Sequence, residues 1–451
     1  MPNLRNQEKM ETYDWAWVER QVAQTEAVWR RSSGRPATEA RSYSADDQQR
    51  NEKAYDEALL SVEEALRSAS VRKEERACVE ERIIASFAQF SARALDLDED
   101  SIDLLTRKFV PAGTALARWA REFDPDLSMS AIVQAARNAW TACGLQPLLG
   151  APLALTPSIL GYSLMYPYSD NFLDDEEISA EAKLRFSRRF RRKLLGERLP
   201  PEDDRERNVW TLIGLVETQY PRDLYPNVFE CLLAIHRAQE QSVGQVREPR
   251  SFADAECLRV SCGKGGSSVL ADACLVRGSL TAQESQFGFE WGVLLQLGDD
   301  LQDVGEDMER GSMTLFSRAA ADGRLLDGLT IQLSNFSEHV GRLMDELPQG
   351  EAAFKGLLKM SWRSLIVAAV ADSHKFFSAA FLREAERFSP FRFEFLRARK
   401  ARLSSRQGVY TRLFGTLLDS SRVSIDGLPS PHQPADWAAE PDFEAAFNVE
   451  S

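Results

Sequence analysis

The chain has 451 residues, 43% hydrophobic and 27% charged, a composition of soluble globular proteins and a length for one large domain or two ordinary ones. A formal net charge of −14 leaves no basic face for nucleic acid; it suits a cation-dependent enzyme, although surface solubility accounts for it equally well. The six cysteines form no Cys-x-x-Cys pair and the four histidines (His236, His339, His374, His432) are scattered, which argues against a zinc site or a Ser-His-Asp arrangement and for reduced thiols in the cytoplasm.

Residues 1–75 are polar and read as a partly flexible N-terminal extension, with short helices around Trp15–Trp29 and Tyr55–Leu66 and no apolar core of a secretory signal. Residues 76–418 carry apolar residues at three- and four-residue spacing, as in "ERIIASFAQFSARAL" and "FGFEWGVLLQLGDDLQDV", and lack alternating strand patterns. The expectation is one large all-α domain, a single helical bundle. Within it, "DLDEDSIDLLTR" (Asp96–Arg107) lacks the central glycine and final glutamate of a calcium loop and reads as a helix cap. Asn138 to Ser169 holds no charged residue, but Pro147, Pro152, Pro157 and Pro167 interrupt it, so it reads as buried core helices rather than a membrane span. The basic run Arg185–Arg198 reads as a solvated helix face, with diphosphate or membrane-surface contact as alternatives. Residues 419–451 are acidic and proline-rich, as in a flexible tail.

Two segments ask for a cation. "YPYSDNFLDDEE" places Asp170, Asp174 and Asp175 at the end of an apolar helix, and "QLGDDLQDVGED" places Asp299, Asp300, Asp303 and Asp307 at the end of another. Residues four apart stack on one helix face. Like charges there cost a few tenths of a kcal/mol per pair on a bare helix. In a partly buried cleft two carboxylates ~4 Å apart would repel by about 4 kcal/mol. Neither helix offers a lysine or arginine at the matching positions, so solvent or metal is expected to offset the repulsion. All-oxygen ligands with room for water suit Mg²⁺, which commonly completes its shell with substrate phosphate. Taken singly, each stripe also reads as a solvated acidic face.

From Gly263 to Asp303 the sequence "GKGGSSVLADACLVRGSLTAQESQFGFEWGVLLQLGDDLQD" resembles the second half of the trans-isoprenyl diphosphate synthases. Lys264, Phe287, Gly288, Gly292, Gln296, Asp299, Asp300 and Asp303 stand in that family's order. The upstream Asp-x-x-x-Asp-Asp is similar to the first aspartate-rich motif of the class I isoprenoid synthase superfamily, nearest in form to its squalene and phytoene synthase branch. The resemblance implies the superfamily's all-α fold, a prenyl diphosphate substrate, and Mg²⁺ (three ions with substrate bound, Mn²⁺ as a substitute). It implies Asp170, Asp174, Asp299 and Asp303 as metal ligands and catalytic residues, with Asp175, Asp300 and Asp307 beside them. Lys264 and Arg310 would contact the diphosphate, against the plainer readings of a salt bridge and a turn residue, and the family also implies a homodimer.

Elongating members of the family need a second basic site. Here "DDEEISAEAKLRFSRRF" puts acidic residues where paired arginines would follow the first motif, and the only Gly-Arg-Pro, Gly34 to Pro36, lies far upstream. The lysine expected before Thr-Leu in "SMTLF" is also missing. The reading is therefore a terpene synthase. A prenyltransferase, elongating or squalene-like, is the alternative, and an inactive helical interaction protein a remoter one. Candidate pocket walls are Tyr162, Tyr166, Phe172, Phe287, Phe289, Trp291 and Phe376, each with core packing as its ordinary role. Met165, Tyr166 and Tyr168 ahead of the first motif would shorten the pocket, favouring a C15 or C20 substrate.

Overall fold

A computed structural model describes residues 12–34, 41–71, 76–175, 177–242 and 253–405, together with 408, 411, 425 and 427–431; the side chains of residues 69–71, 76–78 and 174 lie outside the description. Every regular element among these residues is helical. In chain order they are α1 (Trp15–Arg31), α2 (Ala45–Val71), α3 (Arg76–Ala94), α4 (Glu99–Leu104), α5 (Val110–Phe123), α6 (Met129–Leu148), α7 (Pro157–Asp174), α8 (Ala180–Leu194) and α9 (Asp204–Gln219). There follow α10 (Pro226–Ser242), α11 (Asp254–Arg277), α12 (Ala282–Gln302), α13 (Val304–Arg310), α14 (Leu315–Ala321), α15 (Asp327–Glu346), α16 (Ala352–Asp372), α17 (Ala379–Glu386) and α18 (Phe393–Ser405).

Local chemistry sets the boundaries. Asp14, Asp98, Ser128, Thr156, Ser179, Asp203, Thr281 and Ser378 each accept a first-turn backbone N–H, and Thr281 forms a capping box with Glu284. Between α4 and α5 the helix widens into one π-turn, Leu105–Phe109, just ahead of Pro111, whose ring nitrogen cannot donate to the preceding turn. α6 and α7 accommodate Pro147 and Pro167 inside them, while Pro157 takes the first turn of α7. No described helix is long and apolar enough to cross a membrane. The five described cysteines are buried and free.

The helical body starts well before residue 76. Trp17, Val18, Val22 and Trp29 of α1 belong to the main core. Trp17 meets Phe289 edge-on at 5.8 Å, and the Tyr13 hydroxyl lies 2.7 Å from Ser285 Oγ. α2 is likewise held: Glu52 pairs with Arg392, and Gln48 and Asn51 donate to backbone carbonyls of residues 386, 389 and 390. Of the expected tail, Leu428 packs on the core and Pro429 accepts the Trp119 indole N–H at 2.8 Å; residues 432–451 lie outside the description.

The centre is the antiparallel pair α11–α12. A methyl group on Gly265 would stand 2.5 Å from the Gly292 carbonyl oxygen, so only glycine permits this approach. Gly292→Ala is expected to cost about 2 kcal/mol, since the backbones must separate. Urea unfolding reads this as a lower midpoint at unchanged slope.

Candidate active site

Three contacts place both aspartate groups at one end of the bundle. Ser158 Oγ donates to Leu275 O at 3.0 Å and the Tyr166 hydroxyl lies 2.7 Å from Ser268 Oγ, so α7 runs antiparallel to α11. Ser261 Oγ donates to Asp300 at 2.7 Å, so α12 also runs antiparallel to α11. The C-terminal ends of α7 and α12 therefore flank the N-terminal half of α11, where Lys264 sits. One turn on from the Tyr166–Ser268 contact in each helix, Asp170 comes level with Lys264.

Asp170 is half-buried; Gln239 Nε2 of α10 donates to it at 2.8 Å and Ser169 Oγ lies 3.3 Å away. Burial, then the charge of Asp170, raises the Tyr166 hydroxyl above its usual range. Asp174 ends α7 and its side chain is outside the description; Asp175 is exposed and accepts the Glu177 N–H at 2.9 Å.

At the end of α12, Asp303 is the capping residue and pivot into α13, yet the hydrogen-bond ladder continues from Asp303 N to Asp299 O and Asp307 N to Asp303 O. The stripe of Asp299, Asp303 and Asp307 survives the break, and its members feel one another. Asp303 is pushed up to about 6 by burial, then by Asp299 and Glu306. Asp307 is pushed up to about 7 by burial, then by Asp300, Asp303 and Asp299. Asp300 is raised to about 6 by burial, against hydrogen bonds from Ser261 and Gln296. With both oxygens engaged, it stitches α11 to α12 rather than standing with Asp299.

The expectation that only solvent or metal offsets this repulsion is corrected. Arg137 of α6 reaches Asp299 at 3.3 Å, and the charges of Arg137 and Lys400 act on Asp303. The Arg137–Asp299 pair is 66% and 45% exposed, so it contributes well under 1 kcal/mol. Lys264 is half-buried and pairs with no acidic side chain among the described residues, although its charge is felt by Asp300. Arg310 is 72% exposed and sits 3.5 Å from Glu306, an ordinary surface pair. In α8, Arg185, Arg189 and Arg192 are engaged with Glu202, Glu206 and Glu197.

Among the described residues no three acidic, cysteine or histidine side chains converge into a metal-holding group. The donor set still suits Mg²⁺. It is all oxygen and partly buried, and Mg²⁺ takes few protein ligands and keeps water or phosphate for the rest.

Of the aromatic candidates, Tyr162 and Tyr166 line a cavity of about 20 Å³ with Met165, Ser169, His236 and Gln239. That volume admits one water, not an alkyl chain. Phe289 packs on Gly266 and Trp17, Trp291 lies 5.6 Å from Trp362, and Phe172 stacks with the Arg205 guanidinium at 3.7 Å.

Several residues were not singled out in the sequence. Gln239, Arg137 and His236 reach the region from other helices and carry no local signal. Ser268 and Asp272 follow Lys264 at four-residue intervals and were readable as one face of α11. Asp272 is fully buried, takes a hydrogen bond from Asn138 at 3.2 Å, and burial raises its carboxyl well above the usual range. Comparison of the chain with protein families, with curated proteins and with solved structures finds no match.

Proposed function

We propose that this chain is a Mg²⁺-dependent terpene synthase with the helical bundle of the class I isoprenoid synthases, ionising a C15 or C20 prenyl diphosphate and releasing diphosphate. The observation that supports the reading is that two aspartate-bearing helix ends, far apart in sequence, lie at one end of the bundle, flanking a helix whose Lys264 pairs with no acidic side chain among the described residues. Asp170, Asp174, Asp299 and Asp303 would hold Mg²⁺, with Asp175, Asp300 and Asp307 outside them; when bound it supplies charge neutralisation to the departing diphosphate. Lys264 adds a point charge on the same side, and Arg310 would have to leave its surface pair with Glu306 to join it. Gln239 and Arg137 orient Asp170 and Asp299. The rings of Tyr162 and Tyr166 offer π-faces worth ~0.5–2 kcal/mol each to a cation.

The α8 arginines support lyase over elongation chemistry, because those engaged with glutamates are not available to a second diphosphate. The same reading takes the protein as cytoplasmic and homodimeric. Purified protein incubated with Mg²⁺ and farnesyl or geranylgeranyl diphosphate, without isopentenyl diphosphate, is expected to release diphosphate and a volatile product. Turnover only on adding isopentenyl diphosphate would make it a prenyltransferase, and no turnover with either would leave a helical interaction protein.

A further inference from the structure

The outer face of α8 carries features that the aspartate groups do not use. Leu184, Arg188, Arg191 and Leu195 follow one another at intervals of four, three and four residues, so they share one face over about 16 Å of helix. Phe186, Phe190 and Leu194 take the opposite face and are buried against the body. The stripe is therefore turned to solvent, with Leu184 49% and Leu195 57% exposed. A third leucine joins it at the end of α8. Arg222, in the turn between α9 and α10, donates to the Lys193 carbonyl at 3.1 Å and ties that turn to the helix end. Leu224, two residues further on, is 71% exposed, more than any other large apolar residue described.

Single exposed leucines are ordinary on a protein surface, whereas several grouped on one face mark an interaction site. Here they are set among positive charge. Residues 180–198 hold eight lysines and arginines against two glutamates, in a chain whose net charge is −14. Arg185, Arg189 and Arg192 are engaged with glutamates and Lys193 is buried. Arg188, Arg191 and Arg198 are exposed and make no ion pair among the described residues. The exposed acids Glu181 and Asp223 stand at the two ends of the stripe rather than within it.

A polynucleotide would leave the leucines in water and would be repelled by the chain as a whole. A bilayer with anionic headgroups meets both features at once. Leucines on a helix lying in its plane enter the boundary between headgroups and acyl chains, and the arginines beside them stay among the phosphates. Because the inner face of α8 is already packed on the body, only the outer row of side chains would enter, which makes the contact shallow and reversible.

We propose that the outer face of α8, together with the turn between α9 and α10, is a peripheral docking surface for an anionic lipid bilayer. The assignment does not depend on the terpene synthase reading.

The test is co-sedimentation of the full chain with sucrose-loaded vesicles of phosphatidylcholine, alone or with about three parts in ten of phosphatidylserine. Capture is expected with the anionic vesicles, is expected to be weak with the neutral ones, and should fall as added salt screens the arginines. Arg188→Gln combined with Arg191→Gln is expected to weaken it about twentyfold, and Leu195→Gln combined with Leu224→Gln about tenfold. All four side chains are exposed, so melting curves should show both variants folded as the wild type is. No capture by anionic vesicles, equal capture by neutral ones, or unchanged capture in either variant would overturn the proposal. A dimer that the leucine variant splits, with no vesicle capture by the wild type, would assign the face to a second copy of this chain instead.

Discussion

Asp303→Asn is expected to lower diphosphate release from farnesyl diphosphate by about 10³-fold and to raise the melting temperature of the metal-free protein. The two effects share one cause. Asp303 sits where burial, Asp299 and Glu306 all disfavour its charge. Asparagine keeps the shape and removes the charge, so the repulsion disappears. At about 1.4 kcal/mol per tenfold change, the displacement from 3.8 to about 6 corresponds to about 3 kcal/mol, which partial exposure reduces to about 1–2 kcal/mol. The same charge would be needed to hold Mg²⁺ against the leaving group, and losing a preorganised charge contact of this kind costs about 4 kcal/mol in the barrier. A stabilised, inactive variant fits a site that sacrifices stability for function. An inactive variant that melts earlier would instead make Asp303 a structural residue. A stabilised variant that keeps its activity would remove it from the metal site.

The metal-free protein is expected to lose stability as pH rises from about 4 to about 7.5, and Mg²⁺ is expected to reverse the trend. Asp300 and Asp303, both near 6, and Asp307, near 7, have folded-state values above the ordinary 3.8. The folded state therefore keeps protons that the unfolded chain has already released. Their contribution is full below the unfolded value and lost as pH passes through about 6 to 7. Buried Asp272 acts in the same direction. His236, lowered by burial, acts in the opposite direction below its unfolded value of 6.5, and the lowered carboxyls of Asp47, Glu52, Asp98 and Glu202 do so only at the acid end, near their unfolded values of 3.8 and 4.5. A cation bound only by the folded state adds about 2.7 kcal/mol at a hundred times its dissociation constant. That gain should appear near pH 7.5 and vanish near pH 5, where protons occupy the carboxylates. Melting curves at both pH values, with and without Mg²⁺, decide it; an equal response at the two would place the ion elsewhere.

The all-α character of the chain, the caps at Asp98, Ser179 and Thr281, and the two aspartate-bearing helix ends are written in local sequence, because they depend on spacing within a turn or two. The N-terminal segment was not legible in the same way. α1 and α2 are polar on one side, and the partners that bury their other faces, Phe289, Phe336 and Arg392, lie hundreds of residues away. Their composition alone resembles a linker.

The candidate site divides along the same line. Sequence by itself determined which carboxylates stand in a stripe, since a fixed rise and turn per residue sets that order. Tertiary structure alone decided that α7 and α12 end on the same side of α11, that Arg137 and Gln239 reach into the acidic groups, and that Asp300 is turned away between helices. Each of these depends on how helices distant in the chain are packed against one another, and helical periodicity carries no information about that.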